Sequence, residues 1–236
     1  MTANQIKSEL FSLGSIEKKM VLQRFFKTGK GEYGEGDVFI GVTIPQQREI
    51  VKRYKVLPLT EIKMLLKEPY HECRMIALLF LVNEYEKCKD VAKREAIYSF
   101  YLQNTETINN WDLVDLSAPK IIGSHLLSQN ADILIELAKS NNLWLQRIAI
   151  VSTLRFIKSG RFEDTFIIAE LLFDSKEDLL HKAVGWMLRE IGKKEFQAEY
   201  SFLKKHYKKM SRTTLRYAIE RFPEDERQKF LSGKIL

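Results

Sequence analysis

Arg147-Ile148-Ala149-Ile150 is one copy of a short pattern that recurs along the chain, as Arg74-Met75-Ile76-Ala77, Lys182-Ala183-Val184-Gly185 and Arg216-Tyr217-Ala218-Ile219. Each copy begins with a cation and continues with small or apolar residues. Their starts are separated by 73, 35 and 34 residues, and the first gap has room for one more copy, starting near Trp111. Two-helix repeats of roughly 35–40 residues are typical of HEAT-like solenoids. We therefore predict an all-α fold, an α-solenoid of stacked HEAT-like helix pairs.

The predicted solenoid would form one domain over residues 1–236 with a basic concave face. Stacked repeats curve, so cations at equivalent positions of successive repeats would line the inner surface. The alternative is that these Lys and Arg residues only flank core helices as solvated ends. No segment alternates polar and apolar residues between turn signals, so no strands are predicted.

The composition is that of a basic globular protein. The chain has 236 residues, of which 45% are hydrophobic, with a formal net charge of +7 and a pI near 9.2. This balance favours an anionic partner such as nucleic acid. Carboxylates outnumber cations only in residues 101–140, the segment that contains Trp111 and Asp115. A polyanion would be repelled there unless these acidic residues had a specific role or specific partners.

Cysteine usage and apolar runs bear on the compartment. Cys73 and Cys88 form neither a CxxC pair nor a disulfide framework, so both are predicted to be reduced, partly buried thiols. The first residues do not have the pattern of a signal peptide. The longest apolar run, residues 75–82, is too short to span a bilayer. We expect a cytoplasmic, monomeric protein with no membrane association and no obligate protein partner.

Turn and cap residues predict where the helices begin and end. Each proline falls between two helical patterns: Pro45, Pro58, Pro69, Pro119 and Pro223. Thr43 and Gln46 have the spacing of a capping box. Residues 29–41 contain five glycines and are predicted to form a long ordered loop. No nucleotide-binding glycine motif is present in this loop, which is either a plain connector or a phosphate-contacting segment.

The segment Trp111-Asp112-Leu113-Val114-Asp115 carries the most informative chemistry. Trp111 and Asp115 are four residues apart, so a helix would place both on one face. Asp112 fits the first turn, where the helix dipole favours a carboxylate. Asp115 lies beyond the reach of capping, at a position that other copies of the repeat fill with Leu78, Val151 or Trp186. The residues alone leave two interpretations of Asp115, a buried ion pair with an arginine or an active-site carboxylate.

A second aromatic site is Gly185-Trp186, with Arg189 on the same helical face. An aromatic ring beside a cation suits a nucleotide, and glycine would allow a ligand to approach the backbone. The alternative is a tryptophan buried between repeats, with Gly185 giving room for helix packing. The four histidines lack metal-ligand spacing, so neither a metal site nor a cofactor is predicted.

Several segments together resemble one known family, and the likeness runs over nearly the whole chain. They are Phe39-Ile40-Gly41-Val42 with Pro45, Trp111-Asp112-Leu113-Val114-Asp115, Trp144-Leu145-Gln146-Arg147 and Lys182-Ala183-Val184-Gly185-Trp186-Met187-Leu188-Arg189-Glu190. In this order they resemble the AlkD-type DNA alkylation-repair glycosylases. The resemblance implies a stack of HEAT-like repeats whose concave face binds duplex DNA containing alkylated bases.

The resemblance also implies roles for individual residues. Asp115 matches the catalytic carboxylate, and Trp111 and Trp186 match the two aromatics that flank the damaged nucleotide. Arg147 matches an arginine that contacts the backbone of the lesion-bearing strand. Phe25 stands where the family can carry a tyrosine, so a hydroxyl contact to DNA would be lost there. Further expected DNA contacts are Arg189, Lys182, Lys27 and Lys30.

The function implied is hydrolysis of the N-glycosidic bond of cationic N-alkylated purines, such as 3-methyladenine and 7-methylguanine, with bulky adducts as further candidates. Asp115 would stabilise an oxocarbenium-like sugar and position water. The alternative is a non-catalytic helical-repeat protein that binds DNA, including branched or bulged DNA, or a protein partner. The family contains members without demonstrated glycosylase activity, so the motifs by themselves leave this alternative open.

Overall fold

The computed structural model describes residues 1–235 and divides the chain into two compact units that meet in sequence between Ile121 and Ile122. Helices dominate both units. Within residues 1–235 there is no β-strand, only an isolated parallel bridge between Val38 and Tyr70. The predicted all-α fold is therefore confirmed. The HEAT-like pairing, the basic concave face and the single domain stay predictions.

The first unit is built around one long apolar helix. Helix α5 contributes a continuous buried run from His71 to Val82, and α1, α3, α4, α6 and α7 pack against it or against each other. The helices of this unit are α1 (Ala3–Leu13), α2 (Ile16–Phe25), α3 (Ile44–Tyr54), α4 (Leu59–Leu66), α5 (His71–Lys87), α6 (Val91–Gln103), a 3-10 turn (Thr105–Thr107) and α7 (Trp111–Ser117).

The second unit has its own central helix. Helix α13 packs against α10, α11, α12, α14 and α15. A π-helix (Pro119–Gly123) connects the two units in sequence, followed by α8 (Ser124–Leu126), α9 (Asp132–Lys139), α10 (Leu143–Ser152), α11 (Leu154–Lys158), α12 (Glu163–Leu171), α13 (Asp178–Lys194), α14 (Phe196–His206), α15 (Arg212–Ala218), a 3-10 turn (Ile219–Arg221) and α16 (Glu224–Ser232).

The local signals in the sequence coincide with observed helix boundaries. Pro45 lies in the first turn of α3, and Pro58 and Pro223 immediately precede α4 and α16. The side-chain oxygen of Gln46 accepts from the Thr43 amide at 3.0 Å, which completes the predicted capping box. These contacts satisfy amides that would have no partner in the first helical turn.

Other predictions concern the cysteines and the membrane. Cys73 and Cys88 are both free thiols, buried and half-buried respectively, and burial raises the pKa of Cys73 to about 12. Across residues 1–235, every helix is too short or too polar to cross a lipid bilayer.

Candidate functional site

Helix α7 places Trp111 and Asp115 in one cavity of the first unit. The helix begins at Trp111 because the Asn110 side chain accepts a hydrogen bond from the Trp111 amide at 2.8 Å. One helical turn then separates Trp111 from Asp115, and both side chains are half-buried. The cavity has a volume of about 370 Å³ and is lined by Ile44, Arg48, Met75, Trp111, Asp112, Asp115, Leu116 and Lys120.

Asp115 is a charged neighbour of a fully buried phenol. Tyr101 lies in the core, and its hydroxyl is 2.9 Å from the Ser117 hydroxyl. Burial raises the pKa of Tyr101, the hydrogen bond with Ser117 lowers it, and the charge of Asp115 raises it further. Because Asp115 itself is half-buried and lines the cavity, a ligand in the cavity would meet its carboxylate.

Three aromatic side chains contact the Trp111 indole. The Phe26 ring stacks on it with ring centroids 5.2 Å apart, and the exposed Phe25 ring meets it edge-on at 6.0 Å. The indole Nε1–H donates to the Tyr33 hydroxyl at 3.2 Å. Phe25 therefore packs against Trp111, and its neighbour Phe26 makes the closer contact.

The glycine-rich loop between α2 and α3 is ordered by a buried carboxylate. Glu72 is 1% exposed and accepts from the backbone amides of Ile40, Gly41 and Val42 at 2.9, 2.8 and 3.2 Å. Gly41 has a φ of +95°, and a Cβ there would overlap the Ser15 carbonyl, so only glycine fits this position. The prediction of an ordered loop is confirmed, and these three amides are directed at Glu72.

His71 forms a buried charge network that the sequence did not reveal. Its Nδ1 is 2.8 Å from Asp37 and its Nε2 is 2.9 Å from Asp112, although these partners are 34 and 41 residues away in sequence. Burial lowers the pKa of His71, but the charges and hydrogen bonds of the two carboxylates outweigh burial and raise it to about 9. No local spacing signals a contact between residues so distant in the chain.

In the second unit, Trp186 and Arg189 lie on α13 with acidic partners. The Trp186 Nε1–H donates to Glu190 at 3.2 Å, and Arg189 forms an ion pair with Glu220. A Cβ at Gly185 would lie 2.5 Å from both the Thr214 carbonyl oxygen and the Tyr217 Cβ. The glycine therefore permits close packing of α13 on α15, which is the packing explanation for this residue.

The expected backbone-contacting cations differ in how accessible they are. Arg147 is 5% exposed, and its Nη1 donates to the Leu179 carbonyl at 2.6 Å, so much of this guanidinium is inside the second unit. Lys182 pairs with Asp178 at 2.7 Å, whereas Lys27 and Lys30 are exposed. Their DNA contacts stay predictions.

Residues that commonly bind metals are not arranged as a metal site in the described part of the chain. No group of three or more His, Cys, Asp or Glu side chains within residues 1–235 is arranged to hold a metal ion. The buried His71 is held by two carboxylates and an aromatic ring, Phe39, whose centroid is 4.5 Å from that of the imidazole. The cavity around Trp111 and Asp115 presents a ligand with one indole, two carboxylates and two cationic side chains.

Comparison with known proteins identifies the family through one family model. A family model described as DNA alkylation repair enzyme matches residues 6–222. The fold is similar to a solved structure described as a predicted DNA alkylation repair enzyme from Enterococcus faecalis, with a TM-score of 0.69, 18% identity, and coverage of 89% of this chain and 97% of that one. At this identity the likeness shows the fold alone. No curated protein matches the chain significantly. Since the family match extends over most of its length, the chain belongs to the DNA alkylation repair enzyme family.

Proposed function

We propose that this protein is a DNA glycosylase that releases cationic N-alkylated purines, such as 3-methyladenine and 7-methylguanine, from duplex DNA. The observation that carries the proposal is the cavity of about 370 Å³ in which Trp111 and Asp115 lie one helical turn apart. Membership of the DNA alkylation repair enzyme family supplies the substrate class.

The chemistry needs only one carboxylate. An alkylated purine carries a positive charge and leaves as a neutral base, so no general acid has to protonate it. This differs from ordinary glycosidases, which use two carboxylates. As the N-glycosidic bond breaks, positive charge develops on the sugar, and the Asp115 carboxylate would stabilise it. Water then adds to the anomeric carbon C1′, and Asp115 takes the proton that the water loses.

Aromatic and cationic side chains would hold the nucleotide. The Trp111 ring faces the same cavity and would interact with the cationic sugar or base, worth roughly 0.5–2 kcal/mol. The family resemblance adds Trp186 as a second such ring. Arg48 is exposed and lines the cavity together with Lys120, so both are proposed phosphate contacts. The resemblance also suggests that the base need not be flipped into a deep pocket, which would admit bulky adducts.

The decisive experiment is a base-release assay on methylated duplex DNA, with free purines separated by chromatography. We expect the wild-type protein to release 7-methylguanine and 3-methyladenine. Asp115→Asn keeps the shape but removes the charge, so we expect release to fall about 10²–10³-fold while DNA affinity stays within a few-fold. Asp225→Asn, at an exposed site on α16, is the matched control and should retain full release. Full activity of Asp115→Asn would remove this residue from the mechanism.

The same assay separates the enzyme from a binding protein. If the wild-type protein releases no purine, a non-catalytic role becomes the better explanation. Affinities for plain duplex, bulged and four-way junction DNA, measured at one salt concentration, would then test the structure-binding alternative.

A further inference from the structure

His71 connects the glycine-rich loop to the start of α7. Its imidazole is 3% exposed and lies between Asp37 of the loop and Asp112 in the first turn of α7, at 2.8 and 2.9 Å. Asn110, just before α7, also donates to Asp37, and the Trp111 indole donates to Tyr33 of the loop. The His71 ring also packs against Phe39 at 4.5 Å and Phe26 at 5.1 Å. Movement of this imidazole would therefore disturb both segments.

The network around His71 balances its charges. Arg74 Nη2 donates to Asp37 at 2.6 Å, and the Asn110 side-chain amide donates to the same carboxylate at 3.0 Å. Burial raises the pKa of Asp37, but the hydrogen bond and charge of His71, with the charge of Arg74, lower it overall. With His71 charged, two cations face two carboxylates. The third acidic neighbour, Glu72, is directed at the loop amides and not at this ring.

The first turn of α7 depends on the same groups. Asn110, which caps Trp111, is bound to Asp37, and Asp112 accepts from the Leu113 amide at 2.8 Å while it also binds His71. Helix α7 has only seven residues, too few to be stable without tertiary contacts. The position of its first turn sets the position of Trp111 and, one turn later, of Asp115.

We propose that His71 is a positioning residue that, by bridging Asp37 and Asp112, fixes the first turn of α7 and so places Trp111 and Asp115 for reaction. The part of this inference that concerns reaction rests on the proposed glycosylase function. The mechanical part, that the His71 bridge controls the position of Trp111, is independent of it. In the bridge, both ring nitrogens donate to carboxylates, which requires the charged imidazolium.

The first test is the pH profile of base release by wild type and Asp112→Asn. The neutral amide of Asn removes the negative charge that stabilises the imidazolium, so the pKa of His71 should fall. We expect wild-type release to persist up to about pH 9 and the variant to lose release at least one pH unit lower. The substrate titrates identically with both proteins, so the difference belongs to the protein. A merely structural role would lower release at every pH without moving the profile.

The second test removes the bridge and separates binding from turnover. His71→Gln places a neutral side chain between the carboxylates, and we expect kcat to fall about 10- to 100-fold from misplacement of the reacting groups, with DNA affinity within a few-fold of wild type. The matched control is His181→Gln in the second unit, whose ring binds the Ser175 carbonyl at 2.7 Å, and which should retain wild-type kcat.

A third measurement needs no activity and no variant. In NMR spectra of the wild-type protein, the Trp111 indole N–H resonance should shift with the same midpoint as the His71 imidazole resonances. The proposal would be overturned if the Trp111 indole resonance did not shift as His71 titrates. It would also be overturned if the pH profile of base release by Asp112→Asn coincided with that of the wild type. If the wild type releases no base, the glycosylase proposal fails, and the indole resonance alone decides whether His71 positions α7. The same resonance tests the positioning role of His71 in the case that the variants do not fold.

Discussion

Glu199 provides a quantitative test of how burial determines charge in the second unit. This residue of α14 is 1% exposed, and its carboxyl lies against Gly192 of α13, where a Cβ would overlap it. Its Oε1 makes no hydrogen bond with any group in residues 1–235. Burial raises the pKa of Glu199 to about 9, although the nearby charge of Arg189 lowers it. The structure therefore keeps this acid neutral at neutral pH.

The expected stability change follows from the two pKa values. In the unfolded chain Glu199 ionises near the ordinary pKa of 4.5, whereas in the folded protein its pKa is about 9. The folded state therefore binds more protons between these values, and its free energy of unfolding falls as pH rises from 4.5 towards 9 by about 1.4 kcal/mol per pH unit. Glu199→Gln cannot ionise, so at pH 7 the variant should be more stable by roughly 3 kcal/mol.

Urea unfolding followed by circular dichroism measures this difference. The free energies of wild type and Glu199→Gln should agree near pH 4.5 and diverge steadily up to pH 8. His71 and every other group titrate in both proteins and cancel in the difference. Glu195→Gln, at an exposed position just before the same helix, should run parallel to the wild type. If Glu199→Gln also ran parallel, the carboxyl would be solvated and the reasoning from burial would be wrong.

Two further predictions concern packing and DNA binding. Gly185→Ala would bring a Cβ to 2.5 Å from the Thr214 carbonyl oxygen and the Tyr217 Cβ. The resulting overpacking should destabilise the fold by about 1–3 kcal/mol, which exceeds the gain in helix propensity of about 1 kcal/mol. Chemical denaturation should therefore show a less stable variant, and an unchanged or higher midpoint would contradict the packing. Arg48→Ala should weaken duplex DNA binding and reduce the slope of log affinity against log salt by about 1. Arg53→Ala, on the same helix but paired with Glu9 at 2.6 Å, is the control, and equal slopes for both variants would exclude a phosphate contact by Arg48.

Much of the fold could be predicted because its determinants are local. The Thr43–Gln46 capping box and the proline positions mark helix ends through contacts within a few residues. The four-residue spacing of Trp111 and Asp115 placed them on one face of a helix, and the structure puts both in one cavity. Periodicity and capping depend on residues within one or two helical turns, so they can be recognised from the sequence alone.

The accessibility of individual cations could not be predicted in this way. Arg147 was expected to contact DNA, and the structure places it 5% exposed with its guanidinium bonded to the Leu179 carbonyl, 32 residues away in sequence. No sequence pattern distinguishes Arg48, which lies at the cavity with Trp111 and Asp115. The sequence does not distinguish a cationic side chain that faces solvent from one that packs against another helix.

Local patterns are enough to establish that this chain is helical, where several helices start, and that Trp111 and Asp115 share a face. The charge states and supports of that site arise from long-range packing: the His71 bridge between Asp37 and Asp112, and the Glu72 carboxylate under the loop amides. Such contacts join residues more than 30 positions apart, and burial and neighbouring charges, which set the protonation of a side chain, exist only after those distant segments have packed.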